Sequence, residues 1–140
     1  WSKLRRRDRE MPQQFQKGTI DKYIYATLAT VGIEGTRIDT NLIVRDNDII
    51  YFHCAHDGEK IKHMRHNPNV CISCVGDTHV LDGKFTIEYE SAVVFGFGTA
   101  DEVAESEKTQ ALRLLCLKHT PRNMNDFDNA IEKSLHRTAV

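Results

Sequence analysis

The chain has 140 residues, with 19 lysine and arginine side chains against 20 aspartate and glutamate, for a formal net charge of −1. A pI of about 6.7 argues against a nucleic-acid-binding surface, which would be basic, and 40% hydrophobic with 28% charged content is that of an ordinary water-exposed globular protein. No apolar run approaches the roughly 20 residues that cross a bilayer, so no membrane partner is expected, and the charged first ten residues do not read as an export signal.

One domain over residues 1–140 is expected from the length, with a core large enough to need no disulfide staples. Four cysteines, at 54, 71, 74 and 116, then read as reduced thiols of a cytoplasmic protein. "SKLRRRDRE" reads as a solvated basic arm, and a short helix follows from Pro12 to about Asp21, because proline suits a first helical turn. "YIYATLATV" (23–31), "RIDTNLIVR" (37–45) and "IIYFHCA" (49–55) are rich in β-branched and aromatic residues and are separated by turn residues. They predict an antiparallel meander. "DGEKIKHMRHN" predicts a helix with Asp57 as N-cap and Pro68 as its stop. "NVCISCVG" (69–76) predicts a fourth strand, "THVLDGKFTI" a polar loop and "YESAVVFGFGTADEV" (89–103) a fifth strand. The remainder is helical: Leu112, Leu115 and Cys116 share one stripe, and Met124, Phe127, Ile131 and Leu135 recur at helical spacing. "RTAV" at the end begins like a strand and is expected to continue past residue 140. The fold class is therefore mainly β with added helices, a small barrel of about six mostly antiparallel strands.

Two chemical readings compete for "YFHCAHDGEKIKHMRHNP" (51–68) and the C-x-x-C that follows it. His63, His66, Cys71 and Cys74 have the ligand types of a zinc site. However, Val70, Ile72 and Val75 favour a strand, and in a strand an odd separation sends Cys71 and Cys74 to opposite faces. Neither a metal nor a disulfide is expected there. In "HCAHDGEK" a strand ends, a glycine-bearing turn follows, and a helix starts with Lys60 in its first turn. Free backbone N–H groups, the positive end of the helix dipole and an ammonium then meet where a phosphate could bind.

"ATLAT", "YFHCAHDGEKI", "NPNVC" and "YESAVVFG", in that order, resemble the FMN-binding split-barrel superfamily of pyridoxamine 5′-phosphate oxidase-like proteins. "RRRDRE", "FHCA-x-x-GEK" and "EKSLHRTAV" are most similar to its nitroimidazole-resistance (NimA-type) branch. The resemblance implies a homodimeric split β-barrel that binds FMN without a covalent bond at the dimer interface and reduces a small-molecule acceptor. Carried over residue by residue, it places the FMN phosphate at His53, Cys54 and Lys60, sets Thr40, Asn41 and Leu42 against the flavin ring, and brings Tyr89 and Ser91 near it. It also gives His53 a catalytic role, for which an imidazole near neutral pH is suited. Ile38 and Ile43 stand where the oxidase has an arginine and a lysine, and Glu59 where it has another arginine. A pyridoxamine 5′-phosphate oxidase-like oxidoreductase, or a non-catalytic FMN- or haem-binding module, are the alternatives that the same resemblance leaves open.

Overall fold

The computed structural model describes residues 5–99 and 103–140. Trp1, the start of the basic arm at 2–4 and residues 100–102 of the expected fifth strand lie outside the described residues; that strand ends at Phe97, short of the expected 103. The strands are β1 (Tyr25–Gly32), β2 (Gly35–Leu42), β3 (Val44–Asp46), β4 (Ile49–Tyr51), β5 (Cys54–Ala55), β6 (Asn69–Val80), β7 (Ile87–Phe97) and β8 (Thr138–Ala139). The α-helices are α1 (Gln13–Lys22), α2 (Glu59–His66), α3 (Glu105–His119) and α4 (Phe127–Ser134), and 3-10 turns flank α4 on both sides.

All described strand pairs are antiparallel. The main sheet runs in the order β2-β1-β6-β7, while β3 pairs with β4 and β5 with β8. The period of two decides what each face carries. Ala26, Leu28, Ile72, Cys74 and Ala92 point inward and form the principal core with Ile20 of α1 and Ile43. A second cluster, Val44, Leu112, Leu115 and Phe127, fastens α3 and the start of α4 beneath β3. Ile61 and Met64 seat α2 against Ala139 of β8. The opposite face of the main sheet is also apolar and no element among the described residues covers it. Tyr25 and Val31 on β1, Ile38 and Leu42 on β2, Val75 on β6, and Val93, Phe95 and Phe97 on β7 are all exposed there, Phe97 to 79%.

Four expectations are corrected. The strand predicted over 37–45 begins at Gly35 and breaks at Ile43. Ile43 is fully buried, and its carbonyl accepts a hydrogen bond from His119 Nε2 at 2.8 Å, not one from a ladder partner. The strand predicted over 49–55 splits, because the chain leaves β3 after Tyr51 and pairs with β8 from Cys54. Phe52, between the two pieces, packs against both the principal core and the α2 cluster. The loop predicted over 78–87 shrinks to 81–86, since Thr78, Val80 and Ile87 extend β6 and β7 into a two-stranded ribbon beyond β1. Gly58, not Asp57, is the N-cap of α2. The opposite-face reading of the cysteines holds: Cys71 pairs with Phe95 on the outward face, Cys74 is buried inward, and no disulfide joins the four cysteines.

The root of the ribbon is fixed by Tyr23. Its hydroxyl donates to Glu90 Oε2 at 2.9 Å and accepts from the Asp77 backbone N–H at 2.6 Å, beside a register shift between Val75 and Thr78. A Cβ at Gly76 would overlap the Tyr23 ring, which these two bonds hold in place. Gly76→Ala is therefore expected to destabilise the fold by about 1–3 kcal/mol, as overpacking does. Urea unfolding measures it, and an unchanged midpoint would show that the ring is free to move.

Candidate functional site

The chain leaves β4 through Phe52 and His53, forms the short β5, turns at Gly58 and enters α2. No side chain caps α2, so the N–H groups of Glu59 and Lys60 in its first turn have no protein acceptor among the described residues. Such a turn carries partial positive charge. Lys60 Nζ donates to Oδ1 of the buried Asn41 at 2.5 Å and stands 5.7 Å from the centroid of the Phe52 ring, within reach of a cation–π contact. No carboxylate among the described residues pairs with it. By contrast, its neighbour Lys62 bonds Glu59 at 2.7 Å, which holds the Glu59 carboxyl below its ordinary range. Lys60 is thus a half-buried, fixed ammonium whose charge is not cancelled.

His53 joins this corner. Its ring is open to solvent, yet the protein around it is enough to push its pKa down, first by burial and then by the charges of Lys60 and His119. His53 therefore favours the neutral imidazole more than a free histidine does. His119 approaches from the C-terminal end of α3. Its bond to the Ile43 carbonyl requires Nε2 to carry the proton, and Nδ1 is buried without a partner among the described residues.

The predicted residues fall into two groups. Asn41, His53 and Lys60 belong to the inner corner, and Cys54 lies beside it, half-buried against the α2 cluster. Thr40 and Leu42 face outward on β2, while Ser91, opposite Val75, and Tyr89, opposite Thr78 on the ribbon, lie on β7. β2 and β7 are the two edges of the sheet, three strand spacings apart, so roughly 14 Å separates them within one chain. Phe52 and His119 were not singled out from the sequence. An apolar run ending in a histidine marks a strand and says nothing of Phe52's contact with Lys60, and His119 reaches Ile43 across 76 positions.

An apolar groove of about 360 Å³ lies elsewhere, on the outward face between β1 and β7. Val31, Cys71, Phe95 and Phe97 line it and no lysine or arginine does, so it suits an apolar side chain better than a phosphate. His63 faces the inner side of β1, where it shares a 3.0 Å hydrogen bond with the buried Thr30. His66 is exposed, and the pair hold no joint site with Cys71 and Cys74.

An antiparallel barrel split into hairpins, closed on one face by helices and carrying a strand–turn–helix corner with a fixed cation, defines the class: a split β-barrel. The sequence profile of the pyridoxamine 5′-phosphate oxidase family matches residues 23–140, and the chain belongs to that family. No curated protein matches it. Among solved structures, a protein of Bacteroides thetaiotaomicron named for 5-nitroimidazole antibiotic resistance is 20% identical, with a TM-score of 0.67 over 79% of this chain and 68% of that one. A conserved hypothetical protein of Mycobacterium tuberculosis is 15% identical, with a TM-score of 0.80 over 99% and 82%. An FAD- and haem-binding protein of Mycobacterium smegmatis is 17% identical, with a TM-score of 0.73 over 93% of this chain and 64% of that one. At these identities the likeness is one of fold. No helix among the described residues is long and apolar enough to cross a membrane.

The lowered pKa of His53 has a defined consequence. An unfolded chain binds this proton more tightly than the folded one, so the stability in question is fully present above pH ~6.5 and is lost as pH falls through the lowered value. Melting temperatures of wild type and His53→Gln at pH 7.5 and 5.5 are expected to show a larger acid-side drop in wild type. Equal drops would mean that His53 is as well solvated as in the unfolded chain.

Proposed function

We propose that the protein is a homodimer that binds FMN and serves as a reductase of small acceptors such as 5-nitroimidazoles. The observation that carries this reading is Lys60: an ammonium fixed by an amide and an aromatic ring, beside uncapped N–H groups, with no carboxylate among the described residues to neutralise it. These are the features a flavin phosphate needs, and the residues present fit it. Charge-assisted bonds of this kind contribute about 1.5–3 kcal/mol. When bound, FMN supplies the redox chemistry, taking electrons from a reduced donor and passing them to the acceptor. The chain's own part is to hold and orient. Lys60 and the first turn of α2 anchor the phosphate, Thr40 and Leu42 offer the outward edge of β2 to the ring, and His53 holds a proton on its solvent-open imidazole beside the bound group.

The cations that the oxidase resemblance would supply have no replacement at their positions. Ile38 is outward and exposed, Ile43 is buried, and Glu59 is occupied by Lys62. The proposed grip on the FMN phosphate thus rests on Lys60 and the first turn of α2. The solved structure named for 5-nitroimidazole resistance supports the choice of acceptor through shared fold.

Two features favour a second copy of this chain as the partner. The exposed apolar side chains of the outward face, with Phe85 and Tyr89 of the ribbon, offer on the order of 1,000 Å² per chain, if each aromatic presents 150–250 Å² when whole. A standard interface needs roughly 800 Å² per partner. The predicted flavin contacts on β2 and β7 also lie too far apart within one chain to meet on one ring, whereas two copies packed face to face can bring an edge of each together.

Lys60→Ala is expected to weaken FMN binding by roughly ten- to a hundredfold and to leave riboflavin, which has no phosphate, nearly unaffected. A flavin-fluorescence titration with both ligands measures this, and equal FMN affinity in the mutant would move the phosphate elsewhere. Sedimentation equilibrium is expected to show a wild-type dimer and a Phe95→Glu monomer. A folded, FMN-loaded wild-type monomer would contradict the composite site.

A further inference from the structure

Asn41 is a costly residue for its place. It points into the core from β2, where an amide with an unmet polar end would be strongly destabilising, and it is one of three buried polar side chains among the described residues. The other two, Thr19 and Thr30, are served by a helical carbonyl and by His63. Asn41 has both ends engaged: Nδ2 donates to the Asp39 carbonyl at 3.2 Å, and Oδ1 accepts from Lys60 Nζ at 2.5 Å. These partners allow one orientation of the amide only. Rotated by a half-turn, its NH₂ would face the ammonium and its oxygen the carbonyl, donor against donor and acceptor against acceptor. The Asp39 carboxylate, two residues away on the same side of the strand, is held by Arg37 at 2.9 and 3.2 Å.

We propose that Asn41 is a positioning residue that sets the preference of the site for a phosphorylated flavin, acting through Lys60 and not through a side-chain contact of its own with the ligand. The inference rests on the phosphate reading of Lys60 given above. A lysine ammonium ends a flexible four-carbon stem and is strongly hydrated, so its aim must come from what it is tied to. A neutral amide ties it and leaves its charge intact. A carboxylate at the same place would tie it equally well and cancel the charge, and alanine would release it. Residue 41 thus decides whether the ammonium is offered to an anion, while the remaining two N–H donors of Nζ are left to bind one.

The test is a set of fluorescence titrations with FMN and with riboflavin on wild type, Lys60→Ala, Asn41→Asp, Asn41→Ala and the Asn41→Ala/Lys60→Ala double mutant, with thermal melts to establish folding. Asn41→Asp is expected to weaken FMN about tenfold or more while riboflavin changes less than about twofold, the loss being that of a charge-assisted bond. The double mutant is expected to bind FMN no more weakly than Lys60→Ala alone, because both changes remove one interaction. A merely structural role for Asn41 would weaken both flavins alike and add to Lys60→Ala, and either result overturns the inference. Should Asn41→Asp fail to fold, Asn41→Ala decides: a loss of FMN-over-riboflavin preference of about threefold or more supports the inference, and an unchanged preference overturns it. If Lys60→Ala itself treats the two flavins alike, the phosphate reading fails and this inference falls with it. If Lys60→Ala discriminates and the Asn41 variants do not, the inference alone is lost.

Discussion

A sheet that is apolar on both faces but, among the described residues, covered on only one sets the terms for this molecule. The inner face of β2-β1-β6-β7 has a complete set of partners. Ile20, Ile43 and Cys74 fill it, and the helices close over it and over β3. The outer face presents Tyr25, Ile38, Val93, Phe95 and Phe97 to water, a patch larger than monomeric proteins ordinarily leave open. The same asymmetry divides the predicted flavin contacts. Side chains that point in, Asn41 foremost, are locked into the protein. Those that point out, Thr40, Leu42 and Ser91, are left for whatever covers the sheet. The proposed dimer and the proposed composite site are therefore one consequence of one arrangement.

Within the inner corner, electrostatics follow from which charges are already spent. Arg37 is committed to Asp39, Arg45 to Asp21 and Lys62 to Glu59. Most such pairs lie on the surface and contribute little to stability. Their effect here is subtraction: they remove both cations and carboxylates from the neighbourhood and leave Lys60, with His53 beside it, as the positive group at the uncapped start of α2. The Tyr51 hydroxyl, whose pKa burial and a 2.7 Å bond to Glu107 push up to about 12, takes up a further carboxylate, on the α3 side. In the proposed function this cation meets an anion that arrives from outside the chain.

Much of this was legible in the sequence where the signal is local. The strand–turn–helix reading of "HCAHDGEK" needed only a glycine, a following lysine and an apolar run, and the structure has β5, the Gly58 turn and α2 there. The opposite faces of Cys71 and Cys74 needed only the period of a strand. What the sequence did not disclose depends on contacts between distant positions. The break at Ile43 comes from a histidine 76 residues away that takes its carbonyl. The split of the third strand comes from a change of partner, from β3, its neighbour in sequence, to the distant β8. The ribbon beyond Val75 was read as a loop because its charged residues outweigh Val80 and Ile87 in composition, although cross-strand pairing does not require burial. Asn41 was placed at the flavin by resemblance, while its actual partner, Lys60, lies 19 positions on.

The central claim is that the phosphate of FMN sits against Lys60 at the first turn of α2. A crystal structure of the protein in complex with FMN tests it most directly. The account predicts a phosphate oxygen about 2.7–2.9 Å from Lys60 Nζ, the range of charge-assisted hydrogen bonds, with the backbone N–H groups of Glu59 and Lys60 turned to the same phosphate and the Asn41–Lys60 bond intact. A phosphate bound away from α2, with Lys60 facing solvent or paired to a carboxylate, would contradict it.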